Sequence, residues 1–462
     1  MNKNLKVLLI ALCLFSIQIP MKAQNGFVHE KSATYEWPTD PTTLEQLNKW
    51  QDLKFGVLFH WGLYSVPGIV ESWSICSEDE DWIPRDSTIA YNDYKKEYWG
   101  LINKFNPTQF NPQQWSEVCK KAGMKYAIFT TKHHDGFNLF DTKQTNFSIM
   151  HGAFKNHPKA NVAKYVFEAF RNDDFMVGAY YSKPDWHCSY YWWDRYATPT
   201  RNVNYKIEKH PQQWAKFQQF TYNQIAELMH DYGQIDILWL DGGWVAAPKQ
   251  DIKMNDIASM ARKAQPGILI VDRLIHGPNE NYQTPERSIP EEQLPNPWES
   301  CIPLKDDWGW TPKHDFKSPE VILANLIEIV AKGGCLLLGV GPTPEGIIQK
   351  EVEEVLTEVG NWLKVNGEAI YNTRTLPHYQ YENIWFTQNP KLSKTYALFV
   401  PNKENAYPKE IEWKGNLPKG KLKLLSIGKN VAYKIKDNKV IVKLPKSVQR
   451  SNQALAFSYQ TQ

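Results

Sequence analysis

Between Lys54 and Val340, short and almost wholly apolar runs alternate with amphipathic stretches, and that alternation leaves few folds open. The runs cover residues 54–60, 125–131, 176–182, 235–241, 268–273 and 334–340. Each is rich in Val, Ile, Leu, Phe or Tyr with little polar interruption, the pattern of strands buried on both faces of a parallel sheet. The stretches between them carry helix punctuation. Asn111 before Pro112 marks a helix start and Gly123 its end. Residues 210–233 set Trp214, Phe217, Phe220, Ile225, Leu228 and Met229 roughly on one face, again closed by Gly. Ser318-Pro319 opens a third helix, with Val321, Ile322, Leu326, Ile329 and Val330 inward and Gly333 beyond it. Strand–helix–strand units in such number predict a right-handed parallel α/β architecture, most simply a (β/α) barrel. With only six strands legible, an irregular barrel is expected. A doubly wound dinucleotide-binding sheet is the rival, but no G-x-G-x-x-G follows an early strand.

The pattern changes after about residue 372. Runs at 396–400, 422–427 and 439–444 alternate apolar and polar residues, separated by turn formers such as Asp437-Asn438 and Pro418-Lys419-Gly420. That predicts a small C-terminal all-β sandwich over 373–462 behind a barrel over 24–372. Residues 1–23 read as an export signal: Lys3 and Lys6, an apolar stretch to Ile17, then Ala23 before a polar run. Cys13 follows the bulky Leu12, which argues against a lipid anchor. The expected location is therefore periplasmic or extracellular, with no membrane span, since no later segment approaches the ~20 apolar residues that crossing requires.

Past that signal the cysteines are Cys76, Cys119, Cys188, Cys301 and Cys335, scattered and without C-x-x-C spacing. Neither a zinc site nor a disulfide framework is indicated. A formal charge of +3 over 462 residues offers no basic stripe for nucleic acid. The 19 Trp and 23 Tyr suit a protein that lays rings on flat apolar faces, sugars included, although a large core also consumes them.

In a barrel of this kind the working residues sit where strands end. Read in order, those ends are Phe59-His60-Trp61, then Lys132-His133-His134-Asp135, Tyr180-Tyr181-Ser182, Trp239-Leu240-Asp241-Gly242-Gly243, and Asp272-Arg273. Any one of these could be a satisfied strand-end residue. Five in succession make a ring-lined pocket with a carboxylate in it. Asp241 closes a strand of Ile, Leu and Trp, where an ionised group is costly unless paired or working. Asp236, at the start of the same run, reads as a structural carboxylate. A retaining glycosidase needs a second carboxyl group as acid and base. Glu286 and Glu299 are the downstream candidates.

The chain resembles glycoside hydrolase family 29, the α-L-fucosidases. The likeness is carried by Lys54-Phe-Gly-Val-Leu-Phe-His-Trp-Gly-Leu-Tyr-Ser-Val-Pro67, Thr130-Thr-Lys-His-His-Asp-Gly-Phe137, Ile235-Asp-Ile-Leu-Trp-Leu-Asp-Gly-Gly-Trp244, Thr284-Pro-Glu286, Trp298-Glu299 and Asn366-Gly-Glu-Ala-Ile-Tyr371. The resemblance implies an irregular barrel followed by a β-sandwich, and release of terminal α-L-fucose from a fucosylated oligosaccharide or glycoconjugate by double displacement. It implies Asp241 as nucleophile, Glu286 as acid/base with Glu299 in reserve, and His60, His133, His134, Tyr181, Trp239 and Arg273 around the sugar. Trp61 and Phe59, with Trp239, suit its apolar face and C5 methyl. No metal or cofactor is implied.

The family usually carries Asn at two places where this chain has Cys335 and Gly339. That departure keeps open a same-mechanism enzyme for another galacto-configured sugar, L-galactose or a galactoside. A non-catalytic sugar-binding protein on the same scaffold is the third reading, disfavoured by the survival of Asp241, Glu286 and Arg273 together. The aromatic-rich loops at 74–98 and 188–204 are the expected leaving-group contacts.

Overall fold

The computed structural model describes residues 35–76, 85–86, 88–198, 200–401, 407–446, 448 and 453–461; the expected export signal lies outside them. Seven parallel strands form the central sheet: β1 (Phe55–Phe59), β2 (Tyr126–Lys132), β3 (Met176–Ser182), β4 (Ile237–Asp241), β5 (Leu269–Asp272), β6 (Glu299–Pro303) and β7 (Cys335–Val340). Their order is β5-β4-β3-β2-β1-β7-β6, so β5 and β6 are the free edges. The segment joining those two edges runs between them. Asp272 N donates to Asn279 O and Asn281 N to Ile270 O on the β5 side. Glu299 N donates to Gln283 O, Cys301 N to Pro285 O and Arg287 N to Cys301 O on the β6 side. Residues 279–287 thus act as an irregular stave that completes a (β/α) barrel. Six of these strands coincide with the apolar runs of the sequence; β6 does not, because its Glu-Ser-Cys-Ile-Pro composition lacks such a run.

Side-chain alternation sorts residues to the two sides of the barrel wall. Leu58, Ile128, Tyr180, Ile237, Trp239, Leu269, Val271 and Leu337 pack together as the barrel interior. Trp50 of α1 (Pro41–Leu53) belongs to that cluster and stacks on Tyr282 with ring centroids 4.0 Å apart. The opposite faces, including Val57, Phe59, Ala179, Tyr181, Leu238, Leu240 and Leu338, pack outward. They meet a surround made by α2 (Tyr91–Gly100), α3 (Pro112–Lys121), α4 (Val162–Asn172), α5 (Pro211–Asp231), α6 (Met254–Ala264), α7 (Pro319–Ala331) and α8 (Lys350–Asn366). The three helices expected from sequence are α3, α5 and α7. Asn111 caps α3 through Gln114 N, and Gly233 past α5 takes φ +73.

The later strands are antiparallel. β8 (Gln380–Tyr381), β9 (Ile384–Asn389), β10 (Lys394–Phe399), β11 (Glu410–Lys414), β12 (Pro418–Leu424), β13 (Lys429–Asn430), β14 (Tyr433–Lys436), β15 (Lys439–Lys443) and β16 (Leu455–Thr461) make two sheets. The orders are β13-β12-β16-β10-β9-β8 and β11-β15-β14. The sheets enclose a core of their own around Phe386, Phe399, Trp413, Val440 and Phe457. The other face of the larger sheet packs Trp385, Tyr396 and Leu398 into the barrel's outer layer, and Trp362 of α8 donates to Ala454 O at 2.7 Å. This β module stands on the helical wall, away from the ends of β1–β5. Among the described residues no helix is long and apolar enough to cross a membrane.

Candidate active site

Asp241 ends β4 with three donors on its two oxygens. Its Oδ1 accepts from Arg273 Nη1 at 2.8 Å and from Gly242 N at 2.8 Å, and its Oδ2 accepts from Tyr180 OH at 2.7 Å. Burial by itself would raise this carboxyl, but the Arg273 charge, the Tyr180 hydroxyl and the Gly242 amide together hold it well below the ordinary carboxylate range. Gly242 permits the turn that follows: its φ is +85, and a Cβ there would stand 2.3 Å from Pro184.

Arg273, just beyond β5, touches a second carboxylate as well. Its Nη2 lies 2.6 Å from Glu286 Oε2, its Nε donates to Thr284 Oγ1 at 3.2 Å, and its guanidinium sits 4.8 Å from the Trp239 ring centre. The other oxygen of Glu286 accepts from Trp308 Nε1 at 3.2 Å. Two carboxylates are therefore held on the two terminal nitrogens of one guanidinium, which fixes them side by side. Asp241 is 16% exposed and Glu286 34% exposed, so both open to a ligand.

Three imidazoles face this pair. A register shift between Thr130 and Lys132 breaks the β2–β3 ladder. The chain beyond it delivers two neighbours in sequence, His133 and His134, to one place, with ring centroids 4.2 Å apart. His134 Nδ1 lies 2.6 Å from Ser182 Oγ, whose hydroxyl proton goes to Pro184 O at 3.0 Å. That network assigns the imidazole proton to Nδ1 and leaves Nε2 as an acceptor, 3.8 Å from Asp241 Oδ2. His133 Nδ1 pairs with Ser72 Oγ at 2.5 Å. His60 stands 5.4 Å from the Tyr180 ring and 5.2 Å from Trp308, and its Nδ1 is buried without a protein partner. Burial lowers all three, His133 to about 4 and the other two well below their ordinary value. At neutral pH they are uncharged donor–acceptor groups, which is what vicinal hydroxyls require.

His133, His134 and Asp241 each bring a ligand atom within 4.8 Å of the others, a spacing that could also surround a small cation. Yet one nitrogen of each imidazole is engaged by a serine, and Arg273 already lies on Asp241. A divalent ion would stand against a guanidinium, so the donor set fits a polyhydroxylated ring better.

The model of one family, α-L-fucosidase, matches residues 22–368. The chain belongs to the α-L-fucosidase family. It is similar to the plasma α-L-fucosidase of Homo sapiens, 31% identical over 444 residues that cover 90% of this chain and 89% of that one. Among solved structures, α-L-fucosidase isoenzyme 1 from Paenibacillus thiaminolyticus superposes with TM-score 0.77 at 27% identity, covering 91% of this chain and 100% of that one. The Thermotoga maritima α-fucosidase in complex with fucose gives 0.72 at 26% identity, over 92% of this chain and 100% of that one. A glycoside hydrolase built as a barrel with a C-terminal β domain is what the fucosidase family and the fold share.

Of the sugar-site candidates read from sequence, the structure brings together Asp241, Glu286, Arg273, His60, His133, His134 and Trp239. It sends three others outward. Phe59 and Trp61 pack with Trp115 at 5.0 and 5.2 Å under the helices, and Trp61 Nε1 donates to Thr343 O. Tyr181 OH donates to Gln224 on α5. Strand alternation explains this: a chain that points His60 inward must point Phe59 and Trp61 outward, and Tyr180 inward means Tyr181 outward. Glu299 begins β6 rather than ending it. It is wholly buried inside the barrel and accepts from Tyr126 OH at 2.7 Å and Trp239 Nε1 at 3.1 Å. Asp236 accepts from Val177 N at 2.8 Å and Gln46 at 3.1 Å, a structural tie between strands.

Ser72 and Trp308 escape the sequence analysis, and Tyr180 enters it only among the strand-end residues, with Tyr181 named for the sugar in its place. For Tyr180 the period-2 signal was present; Ser72 and Trp308 come from loops without period. Cys335 is buried among interior residues. At Gly339 the ring of Trp308 occupies the space where a side chain would lie. A cavity of about 790 Å³ lies beside Trp99, Trp186, Tyr190, Trp193 and Tyr196, on the β2–β3 side of the barrel mouth, whereas Glu286 stands on the β5–β6 seam.

Proposed function

We propose that this chain is a retaining exo-α-L-fucosidase that acts on fucosylated oligosaccharides or glycoconjugates, with Asp241 as nucleophile and Glu286 as acid/base. The single observation that carries the reading is Arg273 joining the two carboxyl groups, because double displacement needs them close together, roughly 5–5.5 Å apart, one as nucleophile and one as acid/base. Asp241, kept ionised, attacks C1 from the β face while Glu286 protonates the departing oxygen. Water then enters from the α face as Glu286 takes its proton, and the fucosyl–Asp241 ester is hydrolysed with net retention. His60, His133 and His134 hold the ring hydroxyls, Tyr180 steadies Asp241, and Trp239 supplies apolar surface. Glu299, closed in by two donors inside the barrel, supports Trp239 rather than exchanging protons with substrate. In the same reading residues 1–23 direct export, 24–372 form the catalytic barrel and 373–462 the β-sandwich; the plasma relatives are consistent with a secreted protein.

Hydrolysis of an aryl α-L-fucoside tests the assignment. Wild type should be active and Asp241→Gly inactive. Azide should rescue Asp241→Gly with β-fucosyl azide as product, and Glu286→Ala with α-fucosyl azide. An inactive wild type that cleaves an aryl β-D-galactoside instead would overturn the sugar assignment. Wild-type rates in Glu286→Ala would overturn the acid/base assignment.

A further inference from the structure

Glu71 is a buried carboxylate that the double-displacement scheme leaves without a task. It lies in the loop after β1 and is 2% exposed. One of its oxygens, Oε1, accepts from two successive backbone amides of the loop after β6, Trp308 N at 2.8 Å and Gly309 N at 2.9 Å. Among the described residues it makes no ion pair. Burial raises its carboxyl to about 7, against the pull of the Gly309 amide and the Arg287 charge. An ionisable group in such surroundings is expensive unless the segment it holds must be held.

The residue it holds is central to the site. Trp308 packs its ring against Gly339, where a Cβ would come within 2.6 Å of it. The ring is tilted 30° to His60 at 5.2 Å, lies beneath the Arg287 guanidinium at 5.4 Å, and donates its indole N–H to Glu286 at 3.2 Å. Indole position is thus fixed by backbone anchorage on one side and by the absence of a side chain at Gly339 on the other. The next residue, Ser72, engages His133, so two adjacent loop residues tie the mouth of β1 to both halves of the pocket.

We propose that Glu71 is a positioning residue for proton donation: its carboxylate fixes the Trp308–Gly309 turn, and the Trp308 indole fixes Glu286. This rests on the fucosidase reading with Glu286 as proton donor. It separates substrates by leaving group. A 2-chloro-4-nitrophenolate departs with little protonation, whereas a sugar alkoxide needs the proton in full. Loss of the anchor therefore slows a fucosyl disaccharide and spares the aryl fucoside.

The test compares kcat/KM on 2-chloro-4-nitrophenyl α-L-fucoside and on a fucosyl disaccharide for wild type and for Glu71→Ala, Glu71→Asp, Glu71→Gln and Gly339→Ala. Glu71→Ala should lose at least ~10-fold on the disaccharide and under ~3-fold on the aryl fucoside. Glu71→Asp, with its oxygen withdrawn by one methylene, and Gly339→Ala, which pushes the ring, should show the same asymmetry. Glu71→Gln keeps an acceptor at the same reach and should return both rates to near wild type. If Glu71→Ala does not fold, the Asp, Gln and Gly339→Ala results carry the test. An equal loss on both substrates, an unchanged disaccharide rate in Glu71→Asp, or failure of Gln to rescue would overturn the positioning role. A wild type inactive on both fucosides would overturn the fucosidase reading, and the positioning role with it; an active wild type with uniform losses overturns the positioning role alone.

Discussion

Arg273 reaches Asp241 Oδ1 at 2.8 Å with one terminal nitrogen and Glu286 Oε2 at 2.6 Å with the other, so a single cation sets the spacing of both carboxylates. A lysine can serve only one of them. Arg273→Lys is expected to lower kcat on an aryl fucoside by about 10²-fold, and Arg273→Met by more. Removing the cation also lets Asp241 rise toward its ordinary value. The acid limb of kcat/KM should therefore move to higher pH in Arg273→Met, which a pH–rate profile from 3 to 8 would register.

The two adjacent tyrosines of β3 give a paired test of barrel alternation. Tyr180→Phe removes a hydrogen bond to an ionised acceptor and should slow turnover by roughly 10-fold. Tyr181→Phe loses only its bond to Gln224 in the outer layer and should leave kcat and KM within about 2-fold while lowering thermal stability. The reverse ranking would reject the inward assignment of Tyr180.

Glu299 is raised from 4.5 to about 7 by burial, against the Tyr126 and Trp239 hydrogen bonds. The folded state therefore binds its proton more tightly than the unfolded chain does. Its contribution to stability is complete below the unfolded value and is lost as pH rises through about 7. Glu299→Gln should abolish that part of the decline, roughly 2–3 kcal/mol between pH 4.5 and 8. Urea titrations of wild type and variant across this range would measure it.

Lys183 and Asp272 form a buried ion pair at 2.5 Å, side chains 1% and 4% exposed, linking the ends of β3 and β5 across β4. Removing one member strands the other charge. Asp272→Asn should cost about 3–5 kcal/mol, and the double change Lys183→Met with Asp272→Leu should recover most of it. Denaturant midpoints would decide; equal damage in single and double variants would count against a pairing penalty.

Much of this architecture was legible in the chain because buried parallel strands announce themselves as apolar runs, and Gly and Pro mark where helices stop and start. What stayed hidden has identifiable causes. β6 carries Glu299, Ser300 and Pro303 in five residues, so its burial comes from the barrel around it and leaves no hydrophobic signature. The pocket-facing residues of β1 and β3 were within reach: His60 and Tyr180 share parity with the interior residues Leu58 and Met176, while Phe59 and Tyr181 do not. His60 is among the sugar-site candidates read from sequence; chemical attractiveness added Phe59 beside it and put Tyr181 in the place of Tyr180. Glu71, Ser72 and Trp308 lie in loops whose approach is a tertiary matter, and no local spacing encodes it.

The seam between β5 and β6 gives the two halves of the chemistry unequal freedom. Asp241 stands at the end of a strand paired on both sides, where a one-residue insertion would turn every side chain of β4 over. Glu286 is carried by a stretch that meets β6 through isolated bridges and backbone bonds at Gln283, Pro285 and Arg287, without a continuous ladder. Lengthening or shortening that stretch breaks only these few bridges and leaves the ladders of β4 in register. On the proposed assignment, a barrel closed in this way can shift the carboxyl group of Glu286 along the chain, and with it the shape of the leaving-group side, while Asp241 stays where it is.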